Sequence, residues 1–447
     1  MRKTVSFQVS EVSKFKNALL EWARQFDEVV WMDSNAHADT YGSFDALLAV
    51  DGLTSIITDC ENAFENLREY QSETRDWLFG YLSYDLKNDV EALQSNNFDG
   101  LHFPDLFFFQ PKKIIRITGN SAEFIYLNMV DDEIESDFEF ISSGNFPREG
   151  NNSVTQDVRI KLRIFKDEYF RRIDRMLHHI HRGDIYEANF CQEFYAESTR
   201  IDPLQTYRKL NTISKAPFAT FLKLNDKYLL SASPERYLKK VGNKVISRPI
   251  KGTAKRASKP NDDKSLIEDL KNDVKERAEN IMIVDLVRND LSKSAVKGSV
   301  TVEELCEVYT FEQVHQMIST ITSEVPEGKN PVELIRETFP MGSMTGAPKV
   351  SAMKIIETLE SSKRGLYSGA VGYFTPDNDF DFNVVIRSIL YNATEKYVSY
   401  AVGGAITAKA IPEKEYEECL LKAKAMREVL EGGAQIPKKK FQIPSVI

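Results

Sequence analysis

The sequence has no apolar run long enough to cross a membrane. A membrane helix needs about 18 or more consecutive apolar residues, and the N-terminal stretch MRKTVSFQVSEVSKF is interrupted by polar residues too often for the core of a signal peptide. Cysteines are also few, with four in 447 residues and no CxxC spacing. This usage supports neither a disulfide framework nor a zinc site. We therefore expect a cytoplasmic protein without membrane attachment.

An excess of positive charge is also missing. The chain carries 58 basic and 67 acidic residues, a formal net charge of −9 spread along its length, so it offers no surface for nucleic acid or an anionic membrane. Hydrophobic residues at 42% and charged residues at 28% exclude disordered and collagen-like classes. The length suits two or three domains, or one large intertwined one.

Two stretches without hydrophobic periodicity divide the chain. SSGNFPREGNNSVTQD, at residues 142–157, is rich in Gly, Asn, Ser and Pro and is typical of a linker. GGAQIPKKK begins a second such stretch, which we interpret as a solvated tail. The predicted organisation is an N-terminal region (1–141), a linker (142–157), a main domain (158–431) and a tail (432–447).

Sheet and helix patterns occur in separate blocks of the main domain. FATFLKL and KYLLSAS flank Asn225-Asp226, and RYLKKV and KVISRPI flank Gly242-Asn243, which predicts antiparallel hairpins. A long helical pattern follows from Leu266 to Val284, and another runs from Pro412 to Leu430. This order favours the α+β class over a doubly wound parallel sheet.

Eight segments of the main domain together resemble one family, the chorismate-utilising enzymes that include anthranilate synthase and isochorismate synthase. The segments are GDIYEANFCQEF (183–194), SPERYL (233–238), RPIKGT (248–253), ERAENIMIVDLVRNDL (276–291), PMGSMTGAPKVSAMKIIETLE (340–360), YSGAVGYF (367–374), VVIRS (384–388) and EYEECLLKAKA (415–425). The resemblance implies a large intertwined two-subdomain sandwich of mostly antiparallel sheets packed by helices.

The resemblance also implies chorismate as the substrate. A ring hydroxyl must leave, and hydroxide is a poor leaving group, so the reaction needs a metal at the ring carboxylate and a proton donor. The family's motifs place Mg²⁺ at Glu279 and Glu418 with Glu415 close by, and the general acid/base at Glu235. Mg²⁺ suits such a site because it keeps several waters and takes few protein carboxylates. From the residues alone, the preferred interpretation of Glu418 is a surface ion pair with Lys422, worth about 0.2–0.5 kcal/mol.

The matched motifs further imply substrate-binding and catalytic positions. An arginine fork suits a carboxylate, and glycine N–H groups add donors without steric interference. A histidine beside the ring is implied at His315, although a histidine on an apolar face is more often a satisfied core residue. The implied substrate-binding residues are Thr253, Tyr367, Arg387, Gly403, Gly404 and Lys422.

Lys251 separates subgroups within the family. Where anthranilate and isochorismate synthases usually read PIAGT, this chain reads PIKGT, the form that resembles aminodeoxychorismate synthase component I. Lys251 is then implied to be a nucleophile that adds at C2 as the C4 hydroxyl leaves, before ammonia adds at C4 and expels it. Without the resemblance, a lysine at a turn is usually just solvated. Glu187 departs from the glutamine common in the aminating enzymes, and from the lysine that activates water in isochorismate synthases.

The resemblance also implies partners. The chain has no cysteine in a nucleophile-elbow context, so we expect a separate glutaminase subunit to supply ammonia for 4-amino-4-deoxychorismate, a precursor of 4-aminobenzoate and folate. Alternatives are anthranilate synthase component I and a catalytically silent scaffold for a glutaminase, although intact Glu235, Glu279 and Glu418 favour catalysis. In the N-terminal region, VVWMDSN and GYLSYDL match relatives that form a tryptophan pocket there, with Asp33-Ser34 replacing the usual Glu-Ser.

Overall fold

The computed structural model describes residues 1–37, 39–146, 158–257, 259–311 and 314–432. Residues 147–157 of the predicted linker and 433–447 of the predicted tail lie outside these ranges, so the domain boundaries remain a prediction.

Strands and helices alternate in blocks along the described chain. The strands are β1 (Arg2–Gln8), β2 (Glu28–Asp33), β3 (Ala46–Thr58), β4 (Leu78–Leu82), β5 (Leu106–Thr118), β6 (Ser121–Leu127), β7 (Lys161–Leu162), β8 (Glu187–Ala196), β9 (Phe218–Leu224), β10 (Lys227–Ser233), β11 (Arg236–Val241), β12 (Lys244–Arg248), β13 (Ile250–Lys255), β14 (Thr301–Thr310), β15 (Val314–Glu324), β16 (Gly346–Ala347), β17 (Ala370–Phe374), β18 (Phe380–Val384), β19 (Ser388–Asn392) and β20 (Tyr397–Thr407). The helices are α1 (Val12–Ala23), α2 (Ala63–Thr74), α3 (Lys87–Val90), α4 (Ile134–Ser143), α5 (Lys166–Arg182), α6 (Pro203–Ser214), α7 (Pro260–Asn272), α8 (Val274–Ser292), α9 (Pro331–Thr338), α10 (Lys349–Leu359) and α11 (Pro412–Glu431).

The long strand β5 joins two arms of sheet. One arm runs from β1 through β6, β5, β3, β2, β9, β10, β19 and β20 to β8. The other runs from β5 through β4, β17, β18, β11 and β12 to β15, which also pairs with β13 and β14. Every ladder between these strands is antiparallel. Strands of the N-terminal region thus belong to both arms.

The two arms face each other across an aromatic core. Alternation along β4 and β5 places Phe79 and Phe107 in this inner cluster, together with Leu222 of β9 and Val371 of β17 from opposite arms. Intervening residues such as Phe108 turn to the outer face, which is covered by helices α2, α8 and α9. Helices α1, α4, α6 and α11 cover the outer face of the other arm. The layers are therefore helix, sheet, sheet and helix, which confirms the predicted α+β class.

The predicted hairpins are confirmed, but the predicted long helix is interrupted. β9 and β10 meet at Asn225-Asp226, and β11 and β12 meet at Gly242-Asn243. The helical pattern from Leu266 to Val284 is split between α7 and α8, because the side chain of Asp273 accepts a hydrogen bond from Glu276 N and caps a new helix. Val274 is consequently 82% exposed instead of buried. The C-terminal helix was predicted correctly.

None of the described helices combines the length and the apolar character that a membrane span requires.

We expect Phe108→Ala to lower the free energy of unfolding by about 3–5 kcal/mol, since the ring is fully buried between Phe374 and Phe382 and its loss leaves a cavity. Urea denaturation followed by tryptophan fluorescence measures the change. Phe140→Ala is the control, because that ring is 44% exposed and its loss should cost less than about 1 kcal/mol. Equal losses for both variants would contradict the assigned core.

Candidate active site

Glu235 lies in the short connection between β10 and β11 and is only 4% exposed. Its backbone carbonyl accepts a hydrogen bond from Val384 N at 3.0 Å, which ties the connection to β18. Burial raises the pKa of the carboxyl to about 7, although a hydrogen bond from Ser343 and the charge of Lys251 act in the opposite direction. A carboxyl with such a pKa can both donate and accept a proton near neutral pH.

Lys251 stands on a β-bulge. Ile250 pairs with Ile318 and Thr253 with Gln316, so β13 has one residue more than β15 between these pairs. Gly252 absorbs the irregularity at φ +88°, a conformation that favours glycine. The charge of Lys251 acts to lower the pKa of Glu187, Glu235 and Glu418, against the effect of burial on each of them. Lys251 itself has no hydrogen bond or ion pair in the part of the chain that the structure describes.

Two carboxylates and a lysine of α11 gather around Gly404 of β20. A Cβ atom at this glycine would lie 3.6 Å from Glu415 Oε2, 3.7 Å from Glu418 Oε1 and 3.6 Å from Lys422 Nζ. Glycine therefore leaves the space between these groups open. Burial and the charge of Glu418 raise the pKa of Glu415, and the charge of Glu279 on α8 adds to this rise. The carboxylates of α8 and α11 thus act on one another.

Two lysines counter these carboxylates. Lys422 Nζ lies 2.7 Å from Glu418 and donates to Gly403 O at 2.9 Å. Lys275 Nζ lies 3.7 Å from Glu279. Burial would raise the pKa of Glu418, but the charges of Lys422 and Lys251 outweigh it and lower that pKa.

The donor set fits a magnesium ion. Among the described residues, no group of three or more His, Cys, Asp and Glu side chains is close enough to form a complete metal cage. Magnesium does not require one, since it usually takes one or two carboxylates together with waters and substrate oxygens. Glu279 and Glu418, whose charges both act on Glu415, would provide that kind of partial site.

Arg387 lies between β18 and β19 in the left-handed conformation, with φ +53°, which is uncommon for a residue other than glycine. Burial lowers the pKa of its guanidinium. Within the described ranges, its side chain makes no hydrogen bond or ion pair. A guanidinium withdrawn from water without a partner is well suited to bind a carboxylate.

A cavity of about 190 Å³ brings together Thr253, Arg387 and Lys422, and Gln316 also lines it. Tyr367 is buried beside the guanidinium, and its hydroxyl lies 3.6 Å from Cys191 Sγ. The structure therefore brings together three of the predicted substrate-binding side chains. Gly403 and Gly404 pair with Cys191 and Phe190 of β8 in the strand ladder, and their role as donors to a ligand remains a prediction.

The structure does not bring His315 to this cavity. Its ring is fully buried, with Nε2 2.9 Å from Asp263 Oδ1 and Nδ1 2.9 Å from Thr310 Oγ1. Because side chains alternate along a strand, the next residue, Gln316, faces the cavity instead. These contacts correspond to a satisfied core histidine and do not support the catalytic role predicted for it.

Sequence reasoning gave no role to two further residues of the site. Ser343, which hydrogen-bonds Glu235, lies in a short 3₁₀ turn of the PMGSMTGAPK segment. Glu187 begins β8 and is 1% exposed, and its Oε2 has no hydrogen-bond partner among the described residues. Only the departure from the family's usual glutamine pointed to Glu187.

A second cavity, of about 550 Å³, lies beside Ser34 in the N-terminal region. Met32, Phe44 and Tyr373 contribute apolar walls, and Asp33 is among the polar lining residues. The hydroxyl of Ser34 is buried without a hydrogen-bond partner in the described structure. The cavity thus combines apolar surface with a few polar groups, as small-molecule sites do.

Comparison with known proteins finds similar chains under two related names. The aminodeoxychorismate synthase of Streptomyces griseus is 42% identical over 274 residues, which are 61% of this chain and 37% of the relative. The probable chloroplastic aminodeoxychorismate synthase of Oryza sativa subsp. japonica is 36% identical over 80% of this chain and 43% of its own length. The chain thus spans less than half of either relative.

Anthranilate synthase is similar over a larger share of its own length. Component 1 from Thermus thermophilus is 33% identical over 79% of this chain and 77% of that protein. The crystal structure of anthranilate synthase component I from Streptococcus pneumoniae superposes with a TM-score of 0.75 and 25% identity, covering 88% of this chain and 94% of that one. These likenesses confirm the predicted sandwich fold.

The family model for "chorismate binding enzyme" matches residues 19–428. This range covers every residue of the candidate active site, from Glu187 of β8 to Lys422 of α11. The chain therefore belongs to the chorismate binding enzyme family.

Proposed function

We propose that this chain converts chorismate and ammonia to 4-amino-4-deoxychorismate. The observation that carries the proposal is the position of Lys251 on its β-bulge, where its charge acts on Glu187, Glu235 and Glu418 and its side chain has no bonded partner among the described residues. A lysine on a regular solvated turn would not need such a bulge. The relatives named aminodeoxychorismate synthase support the same activity.

Substrate binding would rest on the basic and polar side chains of the site. Arg387, with Tyr367 beside it, would hold the enolpyruvyl carboxylate. Lys422 and Thr253 line the same cavity and would orient the ring. Glu279 and Glu418, with Glu415 nearby, would hold Mg²⁺, which when bound would withdraw electron density through the ring carboxylate.

Catalysis would proceed by two displacements. The Lys251 amine attacks C2, the ring double bond shifts, and the C4–O bond breaks as Glu235 delivers a proton to the departing oxygen, so that water leaves. Ammonia then attacks C4, the double bond returns, and the C2–N bond to Lys251 breaks. Glu235 recovers its proton from the new ammonium group. The balance is chorismate plus ammonia to aminodeoxychorismate plus water.

The ammonia would come from a separate glutaminase subunit. The relative from Salmonella typhimurium, 41% identical over 265 residues, is named component 1, a name that supports a second component. The product would then serve 4-aminobenzoate and folate synthesis in the cytoplasm.

The first prediction concerns the product. Incubating the chain with chorismate, Mg²⁺ and an ammonium salt should yield a compound in which an amine replaces the hydroxyl and the enolpyruvyl group is kept, as measured by mass spectrometry. Lys251→Ala should slow this product on the order of 10³-fold, because the nucleophile is gone. Lys255→Ala, a change of an exposed lysine on the same strand, should leave the rate near that of the wild type.

Two other outcomes would contradict the proposal. Formation of fluorescent anthranilate with release of pyruvate would identify anthranilate synthase. This activity is the second candidate because the similar protein from Thermus thermophilus carries that name. Binding of chorismate without turnover, with or without a glutaminase, would instead indicate a silent scaffold.

The second prediction follows from the buried acid. Because the folded pKa of Glu235 is about 7 against about 4.3 for an unfolded glutamate, its protonation contributes stability that is present below about pH 4 and lost as the pH rises through about 7. We compare the free energy of unfolding of Glu235→Gln with that of the wild type at each pH. This difference should be more favourable to the variant at pH 8 than at pH 4 by about 3 kcal/mol. Urea denaturation of both proteins at the two pH values measures this. A difference independent of pH would contradict the assigned pKa.

The third prediction concerns the cavity beside Ser34, which we propose binds tryptophan. Isothermal titration with tryptophan should show heat of binding and a rise in the melting temperature. Ser34→Ala should weaken binding roughly tenfold, through loss of one buried hydrogen bond. If the unchanged protein shows neither heat of binding nor a shift of its melting temperature, the proposed tryptophan site is ruled out.

A further inference from the structure

Glu187 carries a buried oxygen that nothing in the described structure satisfies. The residue is 1% exposed, and its Oε2 has no hydrogen-bond partner within the described ranges. Burying a carboxylate in this way costs several kcal/mol, and few native polar groups are left so. Such a group therefore calls for a functional explanation.

The main chain holds Glu187 firmly in place. It pairs with Thr407 of β20 on one side and with Ala347 of β16 on the other. A Cβ at Gly346 would lie 2.2 Å from the Glu187 carbonyl oxygen, so β16 packs directly against the start of β8. The carboxylate is thus presented by a rigid strand end.

Two charged groups act on this carboxylate. Burial raises the pKa of Glu187, the charge of Lys251 on β13 lowers it, and that of Glu279 on α8 raises it. The residues paired with it on β16 and β20 are uncharged. Of the two charges that act on Glu187, that of Lys251 is therefore the cationic one.

The proposed function, on which this inference rests, leaves one proton without an acceptor. Lysine attacks carbon only as the neutral amine, so its ammonium form must first lose a proton. Of the carboxylates near Lys251, Glu235 is needed in its protonated form for the leaving oxygen, and Glu418 is paired with Lys422 at 2.7 Å. Glu187 remains, with a vacant oxygen.

We propose that Glu187 is the base that takes a proton from the Lys251 ammonium group and returns it after the lysine is expelled. An N–H bond of Lys251 breaks as an O–H bond forms on Glu187, which leaves an amine and a carboxylic acid. When ammonia has displaced the lysine from C2, the acid protonates the released amine. The cycle consumes no net proton.

Burial supplies the driving force for this transfer. Moving the proton neutralises the Glu187 carboxylate, and burial of this residue at 1% exposure disfavours its charged form. A glutamine at this position could hydrogen-bond to the lysine but could not accept its proton. The glutamate therefore gives this chain a base that the family's common residue does not provide.

The test isolates the first displacement by omitting ammonia. Wild type and Glu187→Gln are mixed with chorismate and Mg²⁺, and the covalent adduct on Lys251 is followed by rapid quenching and intact-protein mass spectrometry from about pH 6 to pH 10. We expect Glu187→Gln to form the adduct about 100-fold more slowly at pH 7. The deficit should shrink as the pH rises, because solvent hydroxide then removes the proton.

Two further variants separate chemistry from structure. Glu187→Asp keeps a carboxylate and should form the adduct faster than the glutamine variant at neutral pH. Glu193→Gln makes the same change on the same strand, at a buried residue that accepts hydrogen bonds from Arg163 and Tyr397. Its adduct formation should follow the wild-type pH profile.

Several results would overturn the proposal. One is adduct formation by Glu187→Gln at the wild-type rate, or slowed by one factor at every pH, as a structural role predicts. Another is a normal adduct that ammonia fails to resolve, which would assign Glu187 to ammonia instead. If the wild type aminates chorismate without any adduct, the covalent mechanism and the role of Glu187 both fail. If it does not aminate chorismate at all but forms the adduct with this pH dependence, the proposed function alone fails.

Discussion

The architecture depends on two sheet arms that must bury each other's inner face. Strand β5 belongs to both arms, and its alternating side chains supply Phe107 to the core between the sheets and Phe108 to the core beneath the helices. Neither arm could bury its aromatic face alone. Because β5 comes from the N-terminal region, that region completes the sandwich on which the catalytic segments lie, whatever else it binds.

The candidate active site forms where the ends of both arms meet helices α8 and α11. One arm contributes Glu187 and the glycines of β20, and the other contributes Lys251. Glu235 and Arg387 lie in the β10–β11 and β18–β19 connections, which cross from one arm to the other. Residues far apart in the chain converge because the sheets are held face to face. Their positions are set by backbone features, including the bulge at Lys251 and the left-handed conformation of Arg387.

The electrostatics of the site set it apart from the remainder of the interior. Elsewhere, buried charges are paired, as Arg364 is with Glu360 at 2.7 Å and Lys349 is with Asp290 at 2.5 Å. In the site, Arg387 and Lys251 lack bonded partners within the described ranges, and Glu187 leaves an oxygen vacant. Buried or half-buried charge without a partner lowers stability, so the half-buried Arg387 and Lys251 together with the buried Glu187 mark this region as a candidate functional site.

The class of fold, the hairpins at Asn225-Asp226 and Gly242-Asn243, the C-terminal helix and the family were all predictable from the amino-acid sequence, because they depend on local periodicity, turn residues and the order of motifs. The resemblance also pointed to Glu235, Lys251 and Arg387. Which of these residues share a face depends on how distant segments pack together. The register of β13 against β15 turns Gln316 toward the cavity and His315 away from it. Local sequence does not predict which of two adjacent strand residues faces a cavity, because this depends on pairing with a segment far away in the chain. Burial of Glu235 and the vacant oxygen of Glu187 likewise arise from segments far apart in sequence, since desolvation depends on everything packed around a group.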